Sequence, residues 1–276
     1  MMSALFRIIR PGNVLITFLS VLTAAWLVSD TVFTPLLLRA ALAASFVTAA
    51  ANIINDIFDL DIDRVNRPGR ILPSGRLSLP AARLFYKTLN MVALALVVDR
   101  LPLFLIIAGS QLLLYVYSRS FKKMMLIGNV LVAFMGGLAF VYGALAAGGV
   151  TAGLFPALFA ALFHFSRELI KDLQDVEGDR KYQAHTFAVR FGAENIVKMV
   201  DAVFILLSGI LLLPFLLSMY NVYYIYMVVP GVMLVMFYCS WQLHKDPGTE
   251  TLSRMSALLK ADMLIGLVSI IVGVKL

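Results

Sequence analysis

Six aspartates repeat one spacing twice along the chain. Asp56, Asp59 and Asp63 stand three and four residues apart, and Asp172, Asp175 and Asp179 do the same. On a helix this spacing stacks three carboxylates along one face. Adjacent anions repel one another and are expensive to desolvate, so they call for protons or for a divalent cation. A hard cation is the simpler solution. Mg²⁺ accepts carboxylate oxygens, keeps several waters and completes its shell with phosphate oxygens. The plainer alternative, solvated loops whose acids balance nearby arginines, leaves the repeat unexplained. Nine of the 16 acidic residues fall in the two windows 56–63 and 168–179.

The elements that position these residues are apolar. Of 276 residues, 61% are hydrophobic and 14% charged, far from the roughly half and quarter of soluble domains. That excludes a soluble globule. Apolar runs recur from Val14 to Val274, each about the length of the roughly 20-residue helix that crosses a bilayer. They predict nine helices, over 13–30, 36–57, 81–98, 102–118, 125–147, 152–170, 195–218, 222–243 and 254–274. Pro11, Pro35, Pro80, Pro102 and Pro247 fall near helix ends, while Pro156, Pro214 and Pro230 predict kinks. Arg7 and Arg10 precede the first run as in a signal peptide, but eight more runs follow, so it reads as a retained helix. Cys239, the only cysteine, lies inside an apolar run and reads as a packing residue.

Nine crossings put the segments after helices 2, 4, 6 and 8 on the side of the N-terminus. Counted that way, 20 of the 23 Lys and Arg residues share one side; only Arg39, Arg100 and Lys275 fall on the other. The positive-inside rule makes the rich side cytoplasmic. The net charge of +7 therefore orients the chain in the cell membrane and implies no nucleic-acid partner.

The aspartate groups end helices 2 and 6, so both reach the cytoplasmic face, where they could hold two metal ions around one diphosphate. Cations accompany them: Arg64, Arg67, Arg70 and Arg76 after the first, and Lys171, Arg180 and Lys181 around the second. Lys122 and Lys123, after Tyr117, form a third basic element. These are phosphate partners or orienting charges. Polar residues within the spans, among them Asn13, Asn52, Asn129 and His164, either line a cavity or join helices by hydrogen bonds.

Asn55-Asp56-Ile-Phe-Asp59-Leu-Asp-Ile-Asp63, followed by Arg64-Val-Asn66-Arg-Pro68-Gly-Arg70-Ile-Leu-Pro73-Ser-Gly75, resembles the first signature of the UbiA superfamily of intramembrane prenyltransferases. Asp172-Leu-Gln-Asp175-Val-Glu-Gly-Asp179 resembles the second. Tyr117-Ser118 to Lys122 and Gly128-Asn129 also sit where that family has comparable elements, so the resemblance spans most of the chain as one domain, 1–276. Arg10-Pro11-Gly-Asn13, the Pro-Ser-Gly after the first motif, and Arg167-Glu168-Leu-Ile-Lys171-Asp172 look most like the archaeal members that form the second ether bond of archaeal lipids.

The resemblance implies an all-α membrane enzyme of nine helices around a cavity open to the bilayer, capped by two motif loops. It implies Mg²⁺, two ions, with metal contacts at Asn55, Asp59, Asp175 and Asp179 and a further one at Asp63. Asp56 and Asp172 complete the catalytic set. Asn13, Asn52, Asn55, Arg64, Arg67, Tyr117, Lys122, Asn129, Lys171 and Arg180 are the expected substrate contacts. Within the archaeal group the reaction is transfer of a geranylgeranyl group from its diphosphate to geranylgeranylglyceryl phosphate, a lipid-like acceptor. An aromatic acceptor, as in quinone or haem pathways, is the alternative; a cation-coupled transporter fits less well, because its sites lie near the bilayer midplane.

Overall fold

A computed structural model of the chain describes residues 2–31, 33–181 and 186–275, with side chains except those of Asn66, Lys123 and Lys275. All regular structure among them is helical. Helix α1 (Met2–Ile8) meets α2 (Pro11–Trp26) at a 57° bend. Arg10 at the joint has φ 53°, a left-handed conformation that costs a non-glycine residue of order 1–3 kcal/mol. Helix α3 (Pro35–Phe58) opens on Thr34, whose hydroxyl accepts from the Leu37 amide, and runs into the short α4 (Leu60–Asn66). Then follow α5 (Leu79–Ala95), α6 (Leu101–Arg119), a 3₁₀ turn (Phe121–Lys123), α7 (Ile127–Ala146) and α8 (Leu154–Lys181). The chain closes with α9 (Phe187–Leu216), α10 (Val222–Val228), α11 (Leu234–Lys245) and α12 (Thr249–Lys275).

Seven segments are long and apolar enough to cross a membrane, and the bent α1–α2 pair makes an eighth. The helix expected over 81–98 is present as α5, but its 17 residues include Arg83 and Lys87, and by length and composition it falls short of a span. Leu84, Met91, Leu105, Ile205 and Phe237 are exposed, as apolar side chains facing lipid must be. The protein is a multi-pass membrane protein.

Two expected boundaries moved. The sixth helix, placed at 152–170, continues as α8 through Lys181, so the second aspartate group rides on helix, not loop. At 1.5 Å per residue its 28 residues reach roughly 42 Å, longer than the roughly 30 Å hydrocarbon layer; the last turns can therefore carry charge. Helix α9 begins before the expected 195 and breaks at Gly192, φ 76°. Pro11, Pro35, Pro80 and Pro102 fall in first turns. Of the three prolines expected to kink helices, Pro230 falls inside the π turn Val229–Met233 that joins α10 to α11, and Pro214 falls inside α9, in its last turn. Pro156 lies in the first turn of α8.

Close approach of the inner helices depends on glycine. Helix α7 packs on both α2 and α8. A β-carbon at Gly143 would stand 2.3 Å from the Val21 carbonyl oxygen, and one at Gly137 2.6 Å from that of Ala157. Small residues at such crossings replace the hydrophobic drive that lipid removes. Cys239 is fully buried among apolar neighbours.

Candidate active site

The C-terminal parts of α3 and α8 both line a cavity of about 280 Å³, together with α2, α6, α7 and α12, and α4 packs on α8. Asp59 sits at the joint of α3 and α4. Its amide donates to the Asn55 carbonyl at 2.9 Å, and the Asp63 amide donates to the Asp59 carbonyl at 2.8 Å. The helical hydrogen-bond pattern thus carries across the joint and keeps Asp56, Asp59 and Asp63 on one side, each 4% exposed. The three-and-four spacing does here what it promised.

Every one of these carboxylates meets a cation. Asp56 pairs with Arg10, and Arg70 lies 3.5 Å from it. Asp63 pairs with Arg70 at 2.5 Å. Burial pushes the Asp63 carboxyl above its ordinary value against the pull of Arg70, and Asp59 and Asp56 add to the rise. Asp59 receives both the Lys122 ammonium and, at 2.8 Å, the Asn55 amide.

The second group joins the first across the cavity. Arg67 reaches from the segment after α4 to Asp175 at 2.5 Å. Asn129 on α7 donates to Asp172 at 2.8 Å, and the Thr186 side chain, which caps α9, hydrogen-bonds Asp179. Lys122 lies between the groups. Burial alone lowers its ammonium, but Asp59 beside it, with Asp175 and Asp179, outweighs that and holds it above the usual lysine value. One monovalent cation thus stands in a field of carboxylates from both motifs.

Among the described residues no three His, Cys, Asp or Glu side chains converge tightly enough to enclose a metal alone. The donor chemistry nonetheless suits a hard cation: Asp59 touches the position that the Lys122 ammonium occupies, Asp175 and Asp179 act on it from farther off, and further oxygens would come from a bound phosphate.

Of the expected substrate contacts, Asn13, Asn52, Asn55, Arg67, Tyr117, Lys122, Asn129 and Lys171 line the cavity. Asn52 also donates to the Ile9 carbonyl at 2.8 Å, tying α3 to the end of α1. Arg64 and Arg180 do not. Arg64 pairs with exposed Asp61 at 2.8 Å, and Arg180 is exposed near the end of α8; both leave the helix surface toward water. The side chain of Lys123 lies outside the described residues. Arg70, offered by the sequence as a phosphate partner, lines the cavity, and so do Arg10, Arg167 and Lys260, to which sequence reasoning gave no site role. A signal existed for Arg167 and Lys260, because a basic residue inside an apolar span is functional by default. Arg10 gave none, since its reach depends on the bend between α1 and α2. His164 also lines the cavity and packs against Gly136, where a β-carbon would come within 2.2 Å of its ring.

A bundle of membrane helices with paired aspartate motifs at one end of an internal cavity defines a class, and residues 16–261 match the model of the UbiA prenyltransferase family. The chain belongs to that family, whose members are enzymes that transfer prenyl groups. It is 33% identical over 275 residues, 99% of both chains, to the digeranylgeranylglyceryl phosphate synthase of Methanosphaera stadtmanae. A solved structure of a digeranylgeranylglyceryl phosphate synthase superposes with a TM-score of 0.77 at 29% identity, covering 100% of this chain and 99% of the other. A UbiA homologue from Archaeoglobus fulgidus, bound to GPP and Mg²⁺, superposes with a TM-score of 0.73 over 97% and 99% of the two chains. At its 20% identity this last likeness speaks for the fold.

Proposed function

We propose that the chain, acting as one domain, transfers a geranylgeranyl group from geranylgeranyl diphosphate to the free hydroxyl of geranylgeranylglyceryl phosphate. The observation that carries the diphosphate site is the Lys122 ammonium paired with Asp59 and drawn by Asp175 and Asp179: both motifs serve one cationic centre. Near-full-length similarity to digeranylgeranylglyceryl phosphate synthases supports the acceptor.

In this reading Asn55, Asp59, Asp63, Asp175 and Asp179 hold two Mg²⁺ ions, which when bound neutralise the charge that develops on the leaving diphosphate. Arg67 and Lys122 exchange their carboxylate partners for phosphate oxygens, which they meet with charge-assisted hydrogen bonds. Asp56, paired with Arg10 and near Arg70, fixes these cations beside the site. Asp172, held by Asn129, stiffens the α7–α8 wall. As the allylic carbon–oxygen bond breaks, the carbon becomes cationic, and an aromatic ring lining the cavity, such as that of Tyr117, would stabilise it. The apolar cavity walls from α2, α3 and α7 exclude water that would otherwise capture the cation. Arg64 and Arg180 have no role in this site. The basic end of the molecule, with the N-terminus and motif ends, faces the cytoplasm of a cell whose membrane holds the chain.

The test is turnover of labelled geranylgeranyl diphosphate by purified protein with Mg²⁺ and each acceptor in turn. Product with geranylgeranylglyceryl phosphate is expected. Product with 4-hydroxybenzoate and none with the phosphorylated lipid would replace this acceptor with an aromatic one.

A further inference from the structure

A second set of charges lies in the same cavity, with the opposite balance. Arg10 at the α1–α2 bend, Arg167 and Lys171 one turn apart on α8, and Lys260 on α12 all line it. They are close enough that Arg10 repels each of the other three. Few carboxylates answer them. Glu168 serves two, at 2.6 Å from Lys171 and 3.7 Å from Arg167, Asp172 acts on Lys171 from farther off, and Arg10 shares Asp56 with Arg70. Among the described residues Lys260 has neither a carboxylate nor a hydrogen-bond partner. Gly12 leaves its ammonium room, since a β-carbon there would stand 3.1 Å from Nζ.

Uncompensated positive charge within a membrane bundle is costly and is kept where an anion visits. The diphosphate does not account for this cluster, because its seat between the aspartate groups has Arg67 and Lys122. Two phosphate-bearing substrates in one cavity also repel each other, so each needs its own cations. We propose that Arg10, Arg167, Lys171 and Lys260 form the seat of the acceptor's phosphate monoester. This rests on the reading of the acceptor as a phosphorylated lipid alcohol. Arg167 supplies a planar fork suited to two phosphate oxygens, and Lys171 and Lys260 supply point charges. Holding the phosphate there leaves the acceptor's hydroxyl in the same cavity as the allylic carbon, and anchors the acceptor by the group farthest in charge from a neutral alcohol.

The discriminating experiment compares geranylgeranylglyceryl phosphate with its dephosphorylated alcohol as acceptors, using wild type, Lys260→Met and Arg167→Met. Wild type should prefer the phosphorylated acceptor by a hundredfold or more in kcat/KM, and each variant should reduce that preference to tenfold or less, mainly through KM. Half-saturation by geranylgeranyl diphosphate reports whether the variants remain folded. If the methionine variants are inactive with both acceptors, Lys260→Arg must restore the preference; failure to do so counts against the seat. A wild-type preference retained by both methionine variants overturns it. Wild type that uses neither lipid acceptor but prenylates an aromatic acid overturns the acceptor reading itself.

Discussion

At the scale of single residues, Asp56, Asp59, Asp63 and Asp175 are each held by a cation that a substrate can take over, while Asp172 and Asp179 are held by the neutral Asn129 and Thr186. Asp59 and Asp175 are the members that face Lys122 and Arg67. Lys122→Met should raise the half-saturating concentration of prenyl diphosphate about tenfold or more, since a charge-assisted contact is worth roughly 1.5–3 kcal/mol; an unchanged value in steady-state assays would remove it from the diphosphate seat. Asp63 gives a pH prediction. Its carboxyl is raised by burial, so the folded protein binds this proton more readily than the unfolded chain. The associated stabilisation is complete below the unfolded carboxylate range and is lost as pH rises through the folded value. A divalent cation removes that loss. Mg²⁺ with inorganic diphosphate should therefore raise the thermal midpoint more at pH 7.5 than at pH 5, measured by tryptophan fluorescence in detergent; an equal or opposite dependence would contradict it.

At the scale of elements, much was legible in sequence and the exceptions have physical causes. Prolines marked the starts of α2, α3, α5 and α6 because a first-turn proline loses no hydrogen bond. The end of α8 was misjudged because the charges of the second motif resemble a loop, whereas a helix longer than the bilayer core carries them in its own last turns. The bend at Arg10 was illegible: a left-handed arginine has no sequence signature, and without the bend Arg10 does not reach Asp56. The exposed placement of Arg64 and Arg180 follows from helical phase near motif ends, where the apolar pattern that reveals a face has run out. Helix contacts give their own prediction. Gly143→Leu places side-chain atoms where the α2 backbone at Val21 already stands, and the α2–α7 crossing must open. The thermal midpoint in detergent should fall by several degrees or the protein should lose its monodisperse elution; a wild-type midpoint would show that the crossing is looser than the backbone contact implies.

At the scale of the whole molecule, a helix bundle brings two motifs more than a hundred residues apart to one end of one cavity, and the charge asymmetry predicts which side of the membrane that end faces. Ser74 lies in the turn between the first motif and α5, on the side rich in Lys and Arg. With Cys239 buried, a Ser74→Cys variant should be labelled by a membrane-impermeant maleimide in inside-out vesicles and spared in right-side-out ones. The reverse pattern would invert the orientation. Local motif spacing and helical structure agree, as in a sequence that specifies one fold, whereas the nine expected spans stand at seven or eight among the described residues because α5 falls short.

That the two aspartate groups form one diphosphate site is tested by Mg²⁺-dependent turnover of geranylgeranyl diphosphate in Asp59→Ala and Asp175→Ala. Loss of one preorganised charge group at a reacting centre typically costs about 10²–10³ in rate. Each variant, taken from a different motif, should fall by at least about a hundredfold. Full Mg²⁺-dependent turnover in both would contradict the account.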